Sequence, residues 1–290
     1  MNPITALLVG LGVLTGGYIV AWSKIEDGPS PLSIVTGAVT NFLDALGIGS
    51  FATSTAIFRA FKMVPDRIIP GTLNAGHTLP TVAQAFIFTA LIPVDVLTLF
   101  SMIAAAVAGA WLGAGIVAKW PKRRVQLGMG FALLAAATFF TMRNMNLFPA
   151  GSDAIGVRGV TLVLAVAGNF LLGALMSLGI GLYAPCMVLV SLLGMSERTA
   201  FPIMMGSCAF LMPVGSLKFI RERAYSKSVA LGLALGGIPG VLVAGLIVKN
   251  LNLTTVRWLV IAVVLYTAVT MLYAAFTDRG GTPEEKPARA

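Results

Sequence analysis

Long blocks without charged residues dominate this sequence. Val96–Ala118, Gln126–Met142 and Ser228–Val248 are three of them. Each approaches or exceeds the roughly 20 residues that an α-helix needs to cross the hydrocarbon core of a bilayer. Only 11% of the 290 residues are charged, against about 25% in soluble domains, which is too few to cover a water-exposed surface. The sequence therefore predicts an all-α polytopic membrane protein.

A short glycine motif occurs twice, at an offset of 132 residues from Gly47 to Gly179. At both places Leu-Gly-Ile-Gly is followed by any residue, an aromatic residue and Ala. The same offset aligns Met63 with Met195, Pro70 with Pro202 and Gly113 with Gly245. A register kept over such a distance is unusual for chance matches in a Gly-rich chain. The pattern predicts an internal duplication.

The duplication divides the chain into five predicted parts. They are an extra N-terminal transmembrane helix with its loop (1–29), repeat 1 (30–142), a connecting loop (143–160), repeat 2 (161–276) and a disordered cytoplasmic tail (277–290). Each repeat begins with an apolar stretch that Gly-Ile-Gly interrupts, Pro31–Phe61 and Thr161–Leu193. Both stretches are too long for one straight span of a core about 30 Å thick. Each either crosses once at a steep tilt or bends at the glycines and returns.

The distribution of lysine and arginine distinguishes these two topologies. Cytoplasmic loops carry an excess of both residues. If each interrupted stretch crosses once, the 20 basic residues divide equally, with 10 on each side. If each stretch returns, 15 lie inside and 5 outside. The count favours two inverted repeats with broken or re-entrant helices, an outside N-terminus and a cytoplasmic C-terminus.

The two Gly-Ile-Gly tips are the predicted substrate site. Inverted repeats with broken helices are typical of secondary transporters, and exposed N–H groups at a helix N-terminus bind anions. The alternative is that the glycines only permit tight helix crossing, and that nearby hydroxyls bond to carbonyls one turn back. The predicted substrate-binding residues are Gly47, Gly49, Ser50, Thr53, Ser54, Asn74, His77, Gly179, Gly181, Tyr183, Cys186 and Ser207.

Two ionisable residues are candidates for proton coupling. Asp44 lies three residues before Gly47 in an apolar run, and its repeat mate is Met176. A carboxylate inside the membrane is a functional hypothesis by default; the alternative is a structural Asp that caps the tip. His77 is the single histidine of the chain, and imidazole can exchange a proton near neutral pH. Its alternative is a hydrogen-bonded interior position.

Other classes of function find little support in the sequence. The basic residues stand in short loops between apolar blocks and form no helix face or aromatic-interleaved patch, so we expect no nucleic-acid partner. Cys186 and Cys208 have no metal-ligand spacing, and no nucleophile stands beside a base. We therefore expect no enzyme activity, metal or cofactor. The expected partners are a small anion, the lipid bilayer and protons.

The duplicated Gly-x-Gly tip, followed by a Met- and Pro-marked turn and a further apolar segment, resembles the sulfite exporter TauE/SafE family, also described as the 4-toluene sulfonate uptake permease family. The likeness covers Pro31–Phe276. Family members commonly have a richer glycine run at the first tip, where this chain has Ser50 and Phe51. The resemblance implies secondary transport of sulfite or an organosulfonate across a bacterial inner membrane. A passive anion channel, or a carrier for another small anion, is the alternative.

Overall fold

The computed structural model describes residues 3–22, 28–46, 49–117, 119–147, 153–177, 179, 181–247 and 253–277. Within these ranges the chain forms α-helices and short 3-10 helices, and no β-strand. The α-helices are α1 (Pro3–Trp22), α2 (Pro31–Ala45), α3 (Ser50–Ala60), α4 (Ile69–Leu91), α5 (Val96–Val117), α6 (Lys122–Asn144), α7 (Gly159–Met176), α8 (Tyr183–Leu192), α9 (Ala200–Arg221), α10 (Lys227–Ile247) and α11 (Leu253–Thr277). Two 3-10 helices, Asp66–Ile68 and Glu197–Thr199, precede α4 and α9.

Four helices in the described part of the chain are long and apolar enough to cross a membrane. Their qualifying segments are Val96–Ile116 in α5, Gly159–Met176 in α7, Ala200–Arg221 in α9 and Lys227–Ala244 in α10. Each is about 20 residues long with few charges, which matches the thickness of the hydrocarbon core. The prediction of an all-α membrane protein is confirmed.

The first interrupted stretch is two helices that double back on each other. The helical hydrogen bonds of α2 end at Ala45, and α3 starts at Ser50. Thr36, near the start of α2, has its hydroxyl 3.9 Å from the sulfur of Met63, just beyond the end of α3. A straight helix would hold these two residues about 40 Å apart. The chain therefore enters and leaves this segment on the same side.

The second interrupted stretch has the same shape. Its helices α7 and α8 are separated by residues 177–182. Ala154, before α7, pairs with Met195, after α8, and the N–H of Ser196 donates to the Ala154 carbonyl at 2.8 Å. The chain again enters and leaves on one side.

A network of contacts joins the loops at one face of the helix bundle, which we call the basic face. It links the loop after α3 to the start of α6, the end of α9 to the loop before α6, and the end of α11 to α6. The pairs are Asp66 with Arg59 and with Gln126 (2.8 Å each), Lys119 with Glu222 (3.4 Å), Arg123 with the Ala275 carbonyl (3.0 Å), Thr72 with the Ser226 N–H (2.9 Å), and Ser228 with the Gly28 carbonyl (2.8 Å).

A second network lies at the other end of the spanning helices, which we call the opposite face. Arg158, before α7, makes two hydrogen bonds of 2.6 Å to Asp95, before α5. The Asp95 N–H donates to the Ile155 carbonyl at 2.8 Å. Because α5 runs from Asp95 to the loop at Lys119, the two networks lie on opposite sides. The α2–α3 segment therefore enters from the basic face and α7–α8 from the opposite face.

The main helix contacts of the first half are with helices of the second half. In the first half α2 packs on α10, and in the second α7 packs on α5, while α4 packs on α9 and α6 on α11. The two close pairs are in backbone contact through glycine. A β-carbon at Gly236 would lie 1.9 Å from the Ile34 carbonyl oxygen, and one at Gly109 would lie 2.0 Å from that of Phe170. Small residues permit such close helix approach in membranes.

The duplication and the five-part division stay predictions. Gly47, Ile48 and the predicted tail beyond Thr277 lie outside the described residues.

Candidate functional site

The two helix breaks meet at one small buried cavity. Its walls come from both halves of the chain: α2, the first break and the start of α3, then α4, the end of α7, the second break and the start of α8, and finally α9. The lining residues are Asp44, Gly49, Ser50, Phe51, Thr81, Met176, Gly181, Leu182, Tyr183, Cys208 and Met212. Five predicted site residues, Asp44, Gly49, Ser50, Gly181 and Tyr183, are thus brought together.

The cavity is closed in this structure. Its volume is about 10 Å³, and a single water needs roughly 10–15 Å³. Around it, Ser50, Leu182 and Tyr183 are all almost completely buried. A β-carbon at Gly181 would lie 3.7 Å from that of Phe51, so the two breaks are in direct contact. An anion with three or four oxygens enters only after the breaks separate.

Two helix N-termini point into the cavity. Ser50 is the first residue of α3 and Tyr183 the first of α8, and both line the walls. The N-terminus of a helix carries a partial positive charge and free N–H donors. Two such ends facing one cavity make an electrostatic environment that favours a negative charge.

The Asp44 carboxyl group lies between these N-termini in the closed structure, and its ionised form is the one that both N–H donors favour. Its Oδ1 accepts a hydrogen bond from the Ser50 N–H at the start of α3. Its Oδ2 accepts from the Gln84 amide at 2.8 Å. Asp44 is 3% exposed, so these donors replace water as its hydrogen-bond partners. The carboxylate caps α3 from within the chain, which is the structural alternative that the sequence left open.

Gln84 on α4 connects the two halves, and the sequence reasoning did not select it. Its Nε2 donates to Asp44, and its Oε1 accepts from the Tyr183 hydroxyl at 2.8 Å. A signal was present in the sequence: His77, Thr81 and Gln84 are spaced at one helical turn within an apolar helix. Polar side chains at this spacing share one helix face.

The glycines of the two motifs have different backbone conformations. Gly49 has φ +89°, in the left-handed region that L-residues rarely adopt. In the second motif it is Gly179, two positions earlier by the repeat alignment, that has φ +85°. Gly181 lines the cavity, whereas Gly179 is packed against Met129. Gly47 lies outside the described residues.

His77 does not line the cavity. Its Nδ1 is 3.0 Å from the Asn41 Oδ1, and its Nε2 is 2.8 Å from the Ser54 hydroxyl. Because Asn41 Oδ1 can only accept, Nδ1 carries the proton and Nε2 accepts from Ser54. Phe51 lines the cavity, and its ring packs against His77 with the two ring centroids 5.8 Å apart. The interior hydrogen-bonded position is the one that the structure gives to this imidazole and to Ser54.

The remaining predicted residues in the described part of the chain do not line the cavity. Thr53 bonds to the Gly49 and Ser50 carbonyls, as the alternative reading expected, and the Asn74 amide donates to the Pro70 carbonyl. Ser207 on α9 accepts from Asn169 on α7 at 2.9 Å. Cys186 is fully buried in α8. Reaching the substrate from these positions would require a rearranged conformation.

Comparison with known proteins does not identify a family for this chain. No family model matches it, and no curated protein or solved structure is significantly similar to it. The resemblance to the sulfite exporter family therefore stays a hypothesis.

Proposed function

We propose that this protein is a secondary transporter for a small sulfur-containing oxyanion or organosulfonate, such as sulfite or sulfoacetate, which binds between the two helix breaks near the membrane midplane. The observation that carries the proposal is the single cavity at which the N-termini of α3 and α8 meet. Broken helices with their N-termini directed at an anion are the arrangement used by known carriers. The closed cavity is then a state of the transport cycle in which the site has no room for the substrate.

Inverted repeats are part of this proposal. The offset between the two glycine motifs, the entry of the two broken segments from opposite faces and the exchanged packing of α2–α10 and α5–α7 all support them. Motion of one repeat against the other would expose the cavity alternately to the two sides. We assign the basic face to the cytoplasm by the positive-inside rule, and from the family resemblance we propose that the membrane is a bacterial inner membrane.

Asp44 gives the proposed transporter a route to proton coupling. An ionised carboxylate between the two N-termini repels an incoming anion. Protonation removes the charge, and it also turns one acceptor oxygen into a donor, which then no longer accepts from the N–H group that faces it, that of Ser50 or that of Gln84. The hydrogen bonds that hold the site closed are then weakened at the moment when the site becomes able to accept an anion. Anion binding and protonation of Asp44 therefore favour each other, which is the linkage that a proton–anion symporter needs.

The transport proposal is tested by flux in proteoliposomes. We expect saturable uptake of radiolabelled sulfite, accelerated by unlabelled anion on the opposite side. Gly181→Val should reduce this flux to background because the added methyl groups fill the cavity beside Phe51. Gly16→Val in α1, where the position opens into free space, is the matched control and should transport normally. Flux that neither saturates nor shows counter-transport would establish the channel alternative. Competition of the labelled sulfite flux by a panel of sulfonates and carboxylates identifies the substrate.

The coupling step is tested separately with Asp44→Asn. Asparagine resembles the protonated carboxyl in charge and hydrogen bonding, so the variant should transport at a rate that no longer depends on pH. Asp66→Asn, at the basic face, is the control and should keep the wild-type pH profile. If Asp44→Asn also kept it, Asp44 would have only the capping role.

A further inference from the structure

An apolar groove runs along the surface of the bundle between α1, α5 and α9. Its volume is about 700 Å³, which lies within the range of roughly 300–1,000 Å³ for ligand sites. It is lined by Leu7 and Gly10 of α1, Phe100 and Trp111 of α5, and Phe210 and Val214 of α9. Gly10, Phe100 and Trp111 are all exposed at its opening. The groove is separate from the cavity at the helix breaks and shares no residue with it.

The groove has the length of one lipid leaflet. Along α5 it extends from Phe100 to Trp111, which is about 16 Å at the helical rise of 1.5 Å per residue. Half of a hydrocarbon core about 30 Å thick is about 15 Å. A single extended acyl chain therefore fits its long dimension.

One end of the groove carries a positive charge. The ammonium group of Lys218 lies 3.9 Å from the centroid of the Trp111 ring, and Lys218 follows the lining residue Val214 by one turn of α9. The nearest carboxylate along α9, that of Glu222, is paired with Lys119 at 3.4 Å. Among the described residues, Lys218 has no carboxylate partner within ion-pair distance. This end of the groove lies at the basic face.

The charge at this end decides which occupant the groove selects. Acyl chains pack as well against each other as against apolar side chains, so burial in the groove gives little preference among lipids. The attraction between Lys218 and a phosphate does discriminate, because a basic residue near the membrane surface favours anionic lipids. We propose that the groove binds one acyl chain of an anionic phospholipid, with the headgroup phosphate held by Lys218.

The test is lipid binding to the purified full-length chain in mild detergent, measured by native mass spectrometry with phosphatidylglycerol or phosphatidylcholine. We expect the wild type to retain phosphatidylglycerol preferentially. Lys218→Ala should reduce that preference about fivefold, the factor expected for one basic residue near the surface. Lys227→Ala is the matched control: it removes a lysine from the same face, at the start of α10, and should leave the preference unchanged.

A second pair of variants tests the groove itself. Ala104→Trp fills the groove from α5 and should abolish retention of phosphatidylglycerol. Leu164→Trp places the same ring on the exposed surface of α7 and should retain it. Thermal unfolding in the same detergent shows that each variant is folded.

Three results would overturn the proposal. The first is equal retention of the two lipids by the wild type. The second is a preference that Lys218→Ala does not change. The third is a dimer that Ala104→Trp dissociates, which would show that a second copy of the chain occupies the groove.

Discussion

Gln84 joins the two halves of the cavity through both ends of one amide. Its N–H group holds Asp44 from the first half, and its carbonyl holds Tyr183 from the second. In an apolar interior such a chain of hydrogen bonds is costly to break, because each separated group would be buried without a partner. We infer that Gln84 keeps the two helix breaks together.

The rate at which a thiol reagent labels Cys208 reports whether the two helix breaks are held together. The thiol is 1% exposed and lines the cavity, so a small water-soluble thiol reagent reaches it only when the breaks separate. In a Cys186→Ser background, which leaves one cysteine, Gln84→Met should increase the labelling rate of Cys208 at least severalfold. Methionine keeps the size of the side chain while removing both hydrogen bonds.

Gln126→Met is the matched control for that experiment. Gln126 is also a buried glutamine whose Nε2 donates to an aspartate Oδ2 at 2.8 Å, that of Asp66, but it lies at the basic face. Its replacement should leave Cys208 labelling at the wild-type rate. Equal acceleration by both variants would indicate general loosening of the bundle and would contradict the assigned role of Gln84.

Helices α2 and α10 are held at backbone contact over several turns. Gly232, Gly236 and Gly240 of α10 stand one turn apart, and a β-carbon at any of them would collide with α2. The motif Gly109-Ala110-Trp111-Leu112-Gly113, with small residues four apart, has the same role between α5 and α7.

Gly236→Ala should therefore destabilise the bundle. The added methyl group would lie 1.9 Å from the Ile34 carbonyl oxygen, so the helices must move apart, at about 1–3 kcal/mol for an overpacked position. Gly12→Ala in α1 meets nothing within 4 Å and should leave stability unchanged. Thermal unfolding midpoints in one detergent compare the two; an unchanged midpoint for Gly236→Ala would contradict the packing.

The start of α5 is fixed by a charge pair at the opposite face. Asp95 caps the helix by accepting from the Thr98 N–H at 2.8 Å, as a favourable N-cap residue does. The guanidinium of Arg158 and the Thr98 bonds hold the pKa of the Asp95 carboxyl below its usual range. A lowered carboxyl pKa contributes stability above the ordinary value near 4, and this contribution is lost as the pH falls.

Asp95→Asn should consequently lower the unfolding midpoint at pH 7 more than at pH 3. Asparagine also caps helices well, so the change isolates the charge. The difference from wild type should shrink as the pH falls below about 4, because the carboxyl of the unfolded chain then binds a proton while the folded carboxylate, with its lowered pKa, still keeps its charge. Asp153→Asn removes an exposed carboxylate from the loop that carries Arg158, and as the control it should leave the unfolding midpoint unchanged at both pH values. A difference that is independent of pH would assign the effect to the cap.

The whole molecule is organised by its two faces. The contacts of Arg59, Lys119 and Arg123 belong to one, and those of Arg158 belong to the other. The two broken segments enter from opposite faces and meet inside. If the protein were inserted in the reverse orientation, the basic face would lie outside the cell, which contradicts the positive-inside rule.

This orientation predicts where reporters become active. A reporter that works only in the cytoplasm should be active when it is fused after Ala290. A reporter that works only outside the cytoplasm should be active when it is inserted at Asp153, in the exposed loop before α7. Insertion at Asp153 tests the opposite face directly, because the neighbouring Arg158 is part of its contact network. The opposite pattern of activity would invert the assignment of the two faces.

The sequence alone determined the helices and the breaks between them. Uninterrupted apolar blocks give membrane helices because every backbone group must be bonded within the lipid, and Gly-Ile-Gly marked both interruptions. It also placed Asp44, Gly49, Ser50, Gly181 and Tyr183 near those breaks. These are local properties that a single stretch of chain carries by itself.

Only the tertiary structure decided what those residues contact. Tyr183 meets Gln84 from 99 positions away, and periodicity within α4 does not specify a partner at that distance. Packing turned His77 towards Asn41 and Ser54 and away from the cavity, and it closed the cavity to the size of one water. The groove between α1, α5 and α9 has no sequence signature, because it exists where three helices fail to fill the space between them.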